Sequence, residues 1–245
     1  MAMIEKESSN PLHVQVSDYV RERIYSQEWG VNERIPSEHE LMKILGVSRG
    51  TIQKGIKSLV DEGLLVQSRG KGTFVSRPVI QHPTGSSLLS YAESLRLQGI
   101  EFKTRVLTQK VIEANTACSE RLNIEVGAPV LFLQRVRYND DGPILFMESR
   151  VNMGACPGIE NYDYGDTTLF STVETCSAKK IGYSRVCYAA RVAGEKRAQI
   201  LECDNRAPLL NVDQVIYLEN NVAVEWGNMW LPANKNVITS VQQRM

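Results

Sequence analysis

The sequence predicts an α+β protein in two parts: an N-terminal winged helix-turn-helix, and a larger C-terminal antiparallel sheet with helices. Three observations carry that prediction. Pro36 to Lys57 reads as two short helices joined by a turn, a small basic hairpin follows at once, and the second half contains an internal repeat. A chain of 245 residues is long for one compact core and comfortable for two.

In the helical pair, Ser37 is placed to cap the first helix while Glu40, three residues on, completes a capping box. Leu41, Ile44 and Leu45 form its apolar stripe, and Gly46 ends it as a left-handed stop. Val47 turns inward, and Ser48 caps a second helix whose apolar face is Ile52, Ile56, Leu59 and Val60. Lys54 and Lys57 lie farthest from that stripe, with Gln53 on its flank. Arg49 lies nearer the stripe but sits in the first turn, where a long side chain projects off the helix end. Ser48, Arg49, Thr51 and Gln53 therefore present hydrogen-bonding groups from the N-terminus, the end that meets base edges in the major groove. An ordinary helical hairpin with a solvated face shares the pattern. The next segment separates the two: Leu64–Val66 and Thr73–Val75 are short apolar strands around Ser68-Arg69-Gly70-Lys71-Gly72. Two glycines permit a tight turn with two cations at its tip, which is a wing placed for phosphates or the minor groove. Leu12–Ser26, with Leu12, Val16, Tyr19, Val20 and Ile24 on one face, is a third helix across the pair.

These residues carry a resemblance. PSEHEL, GVSRGTIQKGIKSLVDEGLL and RGKGTFV are similar to the winged-helix domain of GntR-type bacterial repressors, over about residues 11–76. The resemblance implies double-stranded DNA as partner, with Ser48, Arg49, Thr51, Lys54, Arg69 and Gly70 in contact; Gln53 and Lys71 join them by position. His39 and Gln53 stand where that family commonly has arginine, so no operator sequence is carried over.

Composition bounds the rest. Apolar content of 42% with 23% charged residues describes a globular chain. Met1–Ser9 lacks the apolar core of a signal peptide and no run approaches a membrane span, so the expectation is a cytoplasmic protein with no membrane partner. Five cysteines, none in a C-x-x-C pair, and three histidines make no zinc set; no metal or cofactor is expected. Net charge is zero, yet residues 34–77 hold eight Lys/Arg against four Asp/Glu while residues 78–245 hold 17 against 18. A local basic patch, rather than a global field, would attract phosphate.

Residues 1–77 are expected to form the DNA-binding domain, and residues 78–84, within the proline-punctuated SRPVIQHPTG, a linker. Residues 85–245 are the expected effector-binding and dimerisation domain. Leu88–Gln98 is helical and closed by Gly99. A short helix ending at Leu122, Ala128-Pro129, a strand, the turn at 139–142 and a strand reaching Glu148 recur as a helix ending at Leu201, Ala207-Pro208, a strand, the turn at 219–221 and a strand reaching Glu225. Both Ala128 to Ala207 and Tyr138 to Tyr217 are intervals of 79 residues, so the first strands align without a gap. Two helix-plus-hairpin units suggest a pseudo-twofold sheet with helices on one face and a cleft between halves. Along the first strand Arg135 and Arg137 share a face with Leu131 and Leu133; along its partner Glu148 and Arg150 share a face with Ile144 and Phe146. Charges on a covered face need partners or a ligand, so an internal Arg–Glu network and a bidentate anion site both fit. Thr167 and Thr168 cap the helix at Leu169–Cys176 and offer donors where an anion is favoured.

RVRYNDDGPILFMES, TTLFSTVE, APLLNVDQVIY and VAVEW resemble the UTRA effector domain of the HutC subfamily, over about residues 85–240. That resemblance implies phosphate binding by Arg135 and Arg137 and sugar-hydroxyl binding by Glu148 and Glu225. The expectation is a homodimeric, ligand-responsive repressor of a near-palindromic operator, released by a small anionic metabolite such as a sugar phosphate. The same fold resembles chorismate lyase, so an enzyme acting on a small anion is the competing class. No His or Cys is placed with a base and no phosphate loop is present, which argues against catalysis.

Overall fold

The structure, a computed structural model, describes residue 4 and residues 10–76, 80–84, 88–233 and 235–240. The chain divides into two compact units, residues 1–79 and 80–245.

The first unit is three helices and a hairpin. Helix α1 (Leu12–Tyr25) lays Val16 and Val20 fully buried against α3 (Arg49–Asp61). The two backbones approach so closely that a Cβ on Gly55 would stand 2.7 Å from Val16 Cγ1, and Ser17 Oγ donates to the Gly55 carbonyl at 3.1 Å. Helix α2 (Glu38–Leu45) begins on the Ser37–Glu40 capping box and stops at Gly46, whose φ is 65°. Ser48 caps α3 by accepting from the Thr51 amide, and Ile52, Ile56 and Leu59 fill the core with Leu41, Leu45 and Val47. Strands β1 (Leu65–Ser68) and β2 (Gly72–Val75) pair antiparallel, with Gly70 at φ 75° in their turn. This is the expected winged helix-turn-helix. One detail differs: Ile44, expected in the apolar stripe, is 54% exposed. Leu41 and Leu45 lie one turn apart on a helix of eight residues and close the core, which leaves Ile44 at its rim.

The second unit is built on a six-stranded antiparallel sheet: β4 (Lys103–Glu113), β5 (Pro129–Asn139), β6 (Gly142–Asn152), β9 (Ala223–Pro232), β8 (Pro208–Leu218) and β7 (Ile181–Val192), in that spatial order. The repeat is real and longer than the sequence pattern showed. Each half is a strand, a helix and a hairpin: β4, α5 (Thr116–Leu122), β5, β6, then β7, α7 (Gly194–Leu201), β8, β9. The halves join where β6 pairs with β9, with Ser149 opposite Gly227. The outer strands β4 and β7 escaped the pattern because each, hydrogen-bonded on one side only, carries exposed residues along most of its length.

The helices of the two repeats lie on one face of the sheet, as expected, and two further helices cover the other. Helices α5 and α7 pack on the face of Val130, Val136 and Phe146, while α4 (Tyr91–Leu97) and α6 (Leu169–Ser177) pack on the face of Leu131, Leu133 and Met147. The expected linker at 78–84 also differs. Ile80–Thr84 is a strand, β3, paired in parallel with β10 (Asn236–Ser240), and Ile80 is buried in the cluster of Leu95, Leu145 and Met147. Prolines tolerate an edge strand, so composition alone could not mark this segment as loop; residues 78 and 79 lie outside the described residues.

Leu41→Ala should destabilise the N-terminal unit by about 2–5 kcal/mol, whereas Ile44→Ala should change it by less than about 0.5 kcal/mol. The displacement of that unit's transition in urea, followed by circular dichroism, checks both.

Candidate effector cavity and nucleic-acid interface

Strand register decides which charges meet. Across the β5–β6 pair, Arg135 stands opposite Met147 and Arg137 opposite Leu145, while Glu148 stands opposite Gln134. Opposed residues share a face, so the guanidiniums and the Glu148 carboxylate point to opposite sides of the sheet. Glu148 borders the cavity described below, but its carboxylate accepts from Gln134 Nε2 at 2.9 Å and Trp230 Nε1 at 3.2 Å on the far side. Glu148, expected with Glu225 to hold sugar hydroxyls, therefore has its carboxylate on the face away from the guanidiniums: alternation within each strand was right, but it does not give register between strands. Glu225, opposite Val151 across the β6–β9 seam, is on the arginine face.

On that face Arg135, Arg137 and Glu225 are 3%, 5% and 4% exposed. They border a narrow cavity of ≈ 40 Å³ with Ser90, Ser149 and Thr168. Arg135 Nη2 donates to Ser149 Oγ at 3.3 Å, and its guanidinium lies 5.7 Å from the centre of the Tyr164 ring. Arg137 lies 4.9 Å from the Phe102 ring centre. Yet Arg135 Nε and Arg137 Nε and Nη1 are buried with no hydrogen-bond partner among the described residues. No ion pair joins either arginine to a carboxylate among the described residues, so the internal Arg–Glu network does not form. Burial pulls Arg135 below its ordinary pKa, partly restored by Glu225. Burial, with repulsion from Arg135 and Arg96, brings Arg137 down to about 9. Burial pushes Glu225 up, opposed by a hydrogen bond from Ser149 and by Arg135. A buried site with two cations and one anion lacks a negative charge.

Helix α6 adds to that imbalance. Thr168 caps it by accepting from the Ser171 amide, and Thr168, Leu169 and Phe170 line the cavity, so the positive end of the helix borders it. Thr167 is exposed, donates its hydroxyl to the Asp163 carbonyl, and borders instead a wider groove with Arg96, Lys103 and Arg137. Gly227 keeps the sheet low beneath the cavity: a Cβ there would stand 3.1 Å from Glu225 Oε1. Ser90, Ser149 and Gln214 were missed from sequence. Ser90 left a signal, the S-x-x-E capping box with Glu93, which forms; Ser149 and Gln214 left none, since only register brings them there.

In the N-terminal unit, Ser48, Arg49, Gln53 and Lys54 are exposed and Thr51 half-buried along the first turns of α3. The Ser48 and Thr51 hydroxyls are 2.9 Å apart. Arg69, Gly70 and Lys71 are exposed at the β1–β2 turn. Glu38 carries no signal in the pattern of residues, yet its Oε2 accepts from Arg49 Nε at 3.1 Å and from Gln53 Nε2 at 3.0 Å.

A helix-turn-helix head with a basic wing, followed by a domain with a buried cationic cavity, is the build of a ligand-responsive transcription regulator. The chain belongs to the GntR family of bacterial regulatory proteins, whose domain matches residues 12–75, in the HutC-type group carrying a UTRA domain, which matches residues 97–236. It is 28% identical over 244 residues to the uncharacterized HTH-type transcriptional regulator YurK of Bacillus subtilis, covering 97% of this chain and 98% of that one. It is 25% identical over 246 residues to a probable fructoselysine utilization operon transcriptional repressor of Shigella flexneri, covering all of both chains. The crystal structure of PhnF from Mycobacterium smegmatis shares the fold at a TM-score of 0.65 and 22% identity, over 94% of this chain and 100% of that one. No helix among the described residues is long and apolar enough to cross a membrane.

The cost of two desolvated cations can be measured directly. Arg137→Met, which keeps an apolar stem of similar length, should leave the ligand-free protein as stable as the parent or more stable by about 1–4 kcal/mol. Thermal denaturation of both proteins in anion-free buffer checks it.

Proposed function

We propose that this regulator is a homodimeric repressor whose operator grip is released by a small anionic metabolite of the sugar-phosphate class. The observation that carries the ligand is the set of buried, unpaired guanidinium donors beside the first turn of α6. A phosphate accepts bidentate hydrogen bonds from two arginines and the amides of a helix N-terminus, and neutralises the charge left by burial. Glu225, on the same face, would accept from hydroxyls and so favour a polyhydroxylated body over inorganic phosphate. The relative whose name refers to fructoselysine utilization is compatible with a sugar-derived ligand.

The size of the cavity suggests how binding could act. A volume of ≈ 40 Å³ holds a few waters, not a sugar phosphate. The ligand must displace what borders the cavity, which includes Leu89, Ser90 and Tyr91 at the start of α4. Met147 and Met229, also at the cavity, share an apolar cluster with Leu95 of α4 and with Ile80 at the start of β3. A shift of α4 would therefore press on the strand that follows the DNA-binding unit. The ligand alters operator affinity by as much as it prefers the displaced arrangement.

At the operator, Ser48, Arg49, Thr51, Gln53 and Lys54 would read the major groove, and Arg69, Gly70 and Lys71 would touch the flanking backbone or minor groove. A dimer would place two such heads on two half-sites of a near-palindrome.

The effector claim is tested by differential scanning fluorimetry with a panel of phosphorylated sugars, followed by operator release for each hit. A ligand at a hundred times its Kd raises stability by about 2.7 kcal/mol. Arg135→Ala and Arg137→Met should stay folded and bind operator, yet lose binding of that ligand by ten- to a hundredfold or more, since each charge-assisted bond contributes about 1.5–3 kcal/mol. Variants that still release operator at the parent's ligand concentration would refute the site. For the DNA reading, Arg49→Ala should lose about 1–3 kcal/mol and blur one operator position, whereas Lys71→Ala should weaken all sequences alike and lower the salt slope by about one. Titrations at several salt concentrations separate the two behaviours.

A further inference from the structure

Glu38 is a carboxylate on a surface that, in the reading above, faces a polyanion. It occupies the first helical position of α2, immediately after the Ser37 cap, and its side chain is 33% exposed. An acidic residue in a first turn favours the helix, which by itself explains why a Glu stands there. It does not explain what the carboxylate touches. A single oxygen, Oε2, receives Arg49 Nε and Gln53 Nε2 at 3.1 and 3.0 Å, so one acid on α2 ties down two long polar side chains on α3. Those side chains are otherwise exposed, with Arg49 71% open to solvent.

The atom that Arg49 uses for this contact matters. Nε is engaged, while the η nitrogens make no hydrogen bond to the described residues. The two η nitrogens form the end of the fork that can address guanine O6 and N7 together. Gln53 likewise engages its amide nitrogen and keeps its oxygen for an outside donor. The contact is thus compatible with base reading: it holds Arg49 by its inner nitrogen and leaves Gln53 its oxygen and a second amide hydrogen outward. Ordering two flexible side chains before DNA arrives removes part of the entropy cost of the specific complex.

The same carboxylate would act in the opposite direction on wrong sequences. Where no guanine is suitably placed, Arg49 gains most by swinging to a phosphate, as any exposed arginine does. That swing breaks the contact and leaves Glu38 unpaired beside the sugar–phosphate backbone, where it is repelled.

We infer that Glu38 is a specificity-determining residue of the operator interface, acting as a positioning residue for Arg49 and Gln53 and as a penalty against non-operator DNA. The inference rests on the assignment of α3 as the reading helix, and its test separates the two.

Full-length protein would be used to enrich duplexes from a random-sequence library. Affinity would then be measured by fluorescence anisotropy for the enriched duplex and for a scrambled duplex of the same length. The ratio of the two affinities is the readout, because loss of active protein cancels in it. Glu38→Gln keeps the size and hydrogen-bonding reach of the side chain and removes its charge. It should lower the ratio about tenfold, in part by tightening the scrambled complex, with an unchanged melting temperature. Glu38→Ala should do the same. In an Arg49→Ala/Gln53→Ala background, Glu38→Gln should leave the ratio unchanged, because the side chains it positions are gone. A ratio within twofold of the parent for both Glu38 variants, while Arg49→Ala alone collapses it, would overturn the role of Glu38 and leave the reading helix standing. A ratio unchanged in Arg49→Ala would overturn both. A Glu38→Gln effect that persists at full size in the double-variant background would show that the charge acts on DNA without Arg49 or Gln53, and would overturn the positioning role.

Discussion

Two guanidiniums buried in a β-sheet without a carboxylate to meet them set the terms for the rest of the C-terminal unit. Taking a charge out of water costs several kcal/mol unless something compensates, and here the compensation is incomplete. Ser149 supplies one hydrogen bond, aromatic rings stand near both arginines, and Glu225 supplies one negative charge for two positive ones. The duplicated sheet, the helices packed on both its faces and the well-filled apolar clusters on either side provide the stability that a site of this kind spends. A functional cavity is where a fold departs from local optimality, and the orphaned donors mark that departure at a specific set of atoms.

The N-terminal unit works by the reverse logic. Its core is closed and apolar, α2 and α3 are capped by side chains that the sequence shows openly, and most of the groups of functional interest are exposed. That division explains why the head was legible almost residue by residue. Caps, glycine stops and the spacing of Leu41, Leu45, Ile52, Ile56 and Leu59 are local signals, and local signals survive in a one-dimensional string. The one misplaced residue, Ile44, sits one position from Leu45, at the edge of a stripe too short to define its own width.

The second unit was legible in outline and not in its contacts. The interval of 79 residues exposed the duplication, and alternation along β5 placed Arg135 and Arg137 together. Pairing between strands is a long-range fact, and a shift of one residue exchanges the faces. Glu148 shows the consequence: it is near the arginines along the chain and across the ladder, and on the other side of the sheet. The edge strands β4 and β7 were hidden for a different reason, since a strand with one partner and an open outer edge needs no continuous apolar run. The parallel pair of β3 and β10 was hidden by Pro83 and by the distance along the chain between its two strands.

That pair has a mechanical meaning. In a parallel ladder both strands begin at the same end, and here that end holds Ile80 and Asn236. Ile80 is sunk in the apolar cluster, and Asn236 is buried with its amide bonded to the carbonyls of Ile144 and Pro232. The chain thus enters the C-terminal unit at Ile80, on a rung whose two residues are both held in the core of that unit. The start of the C-terminal unit is therefore a packed and hydrogen-bonded joint, and not a loose lead-in to the sheet.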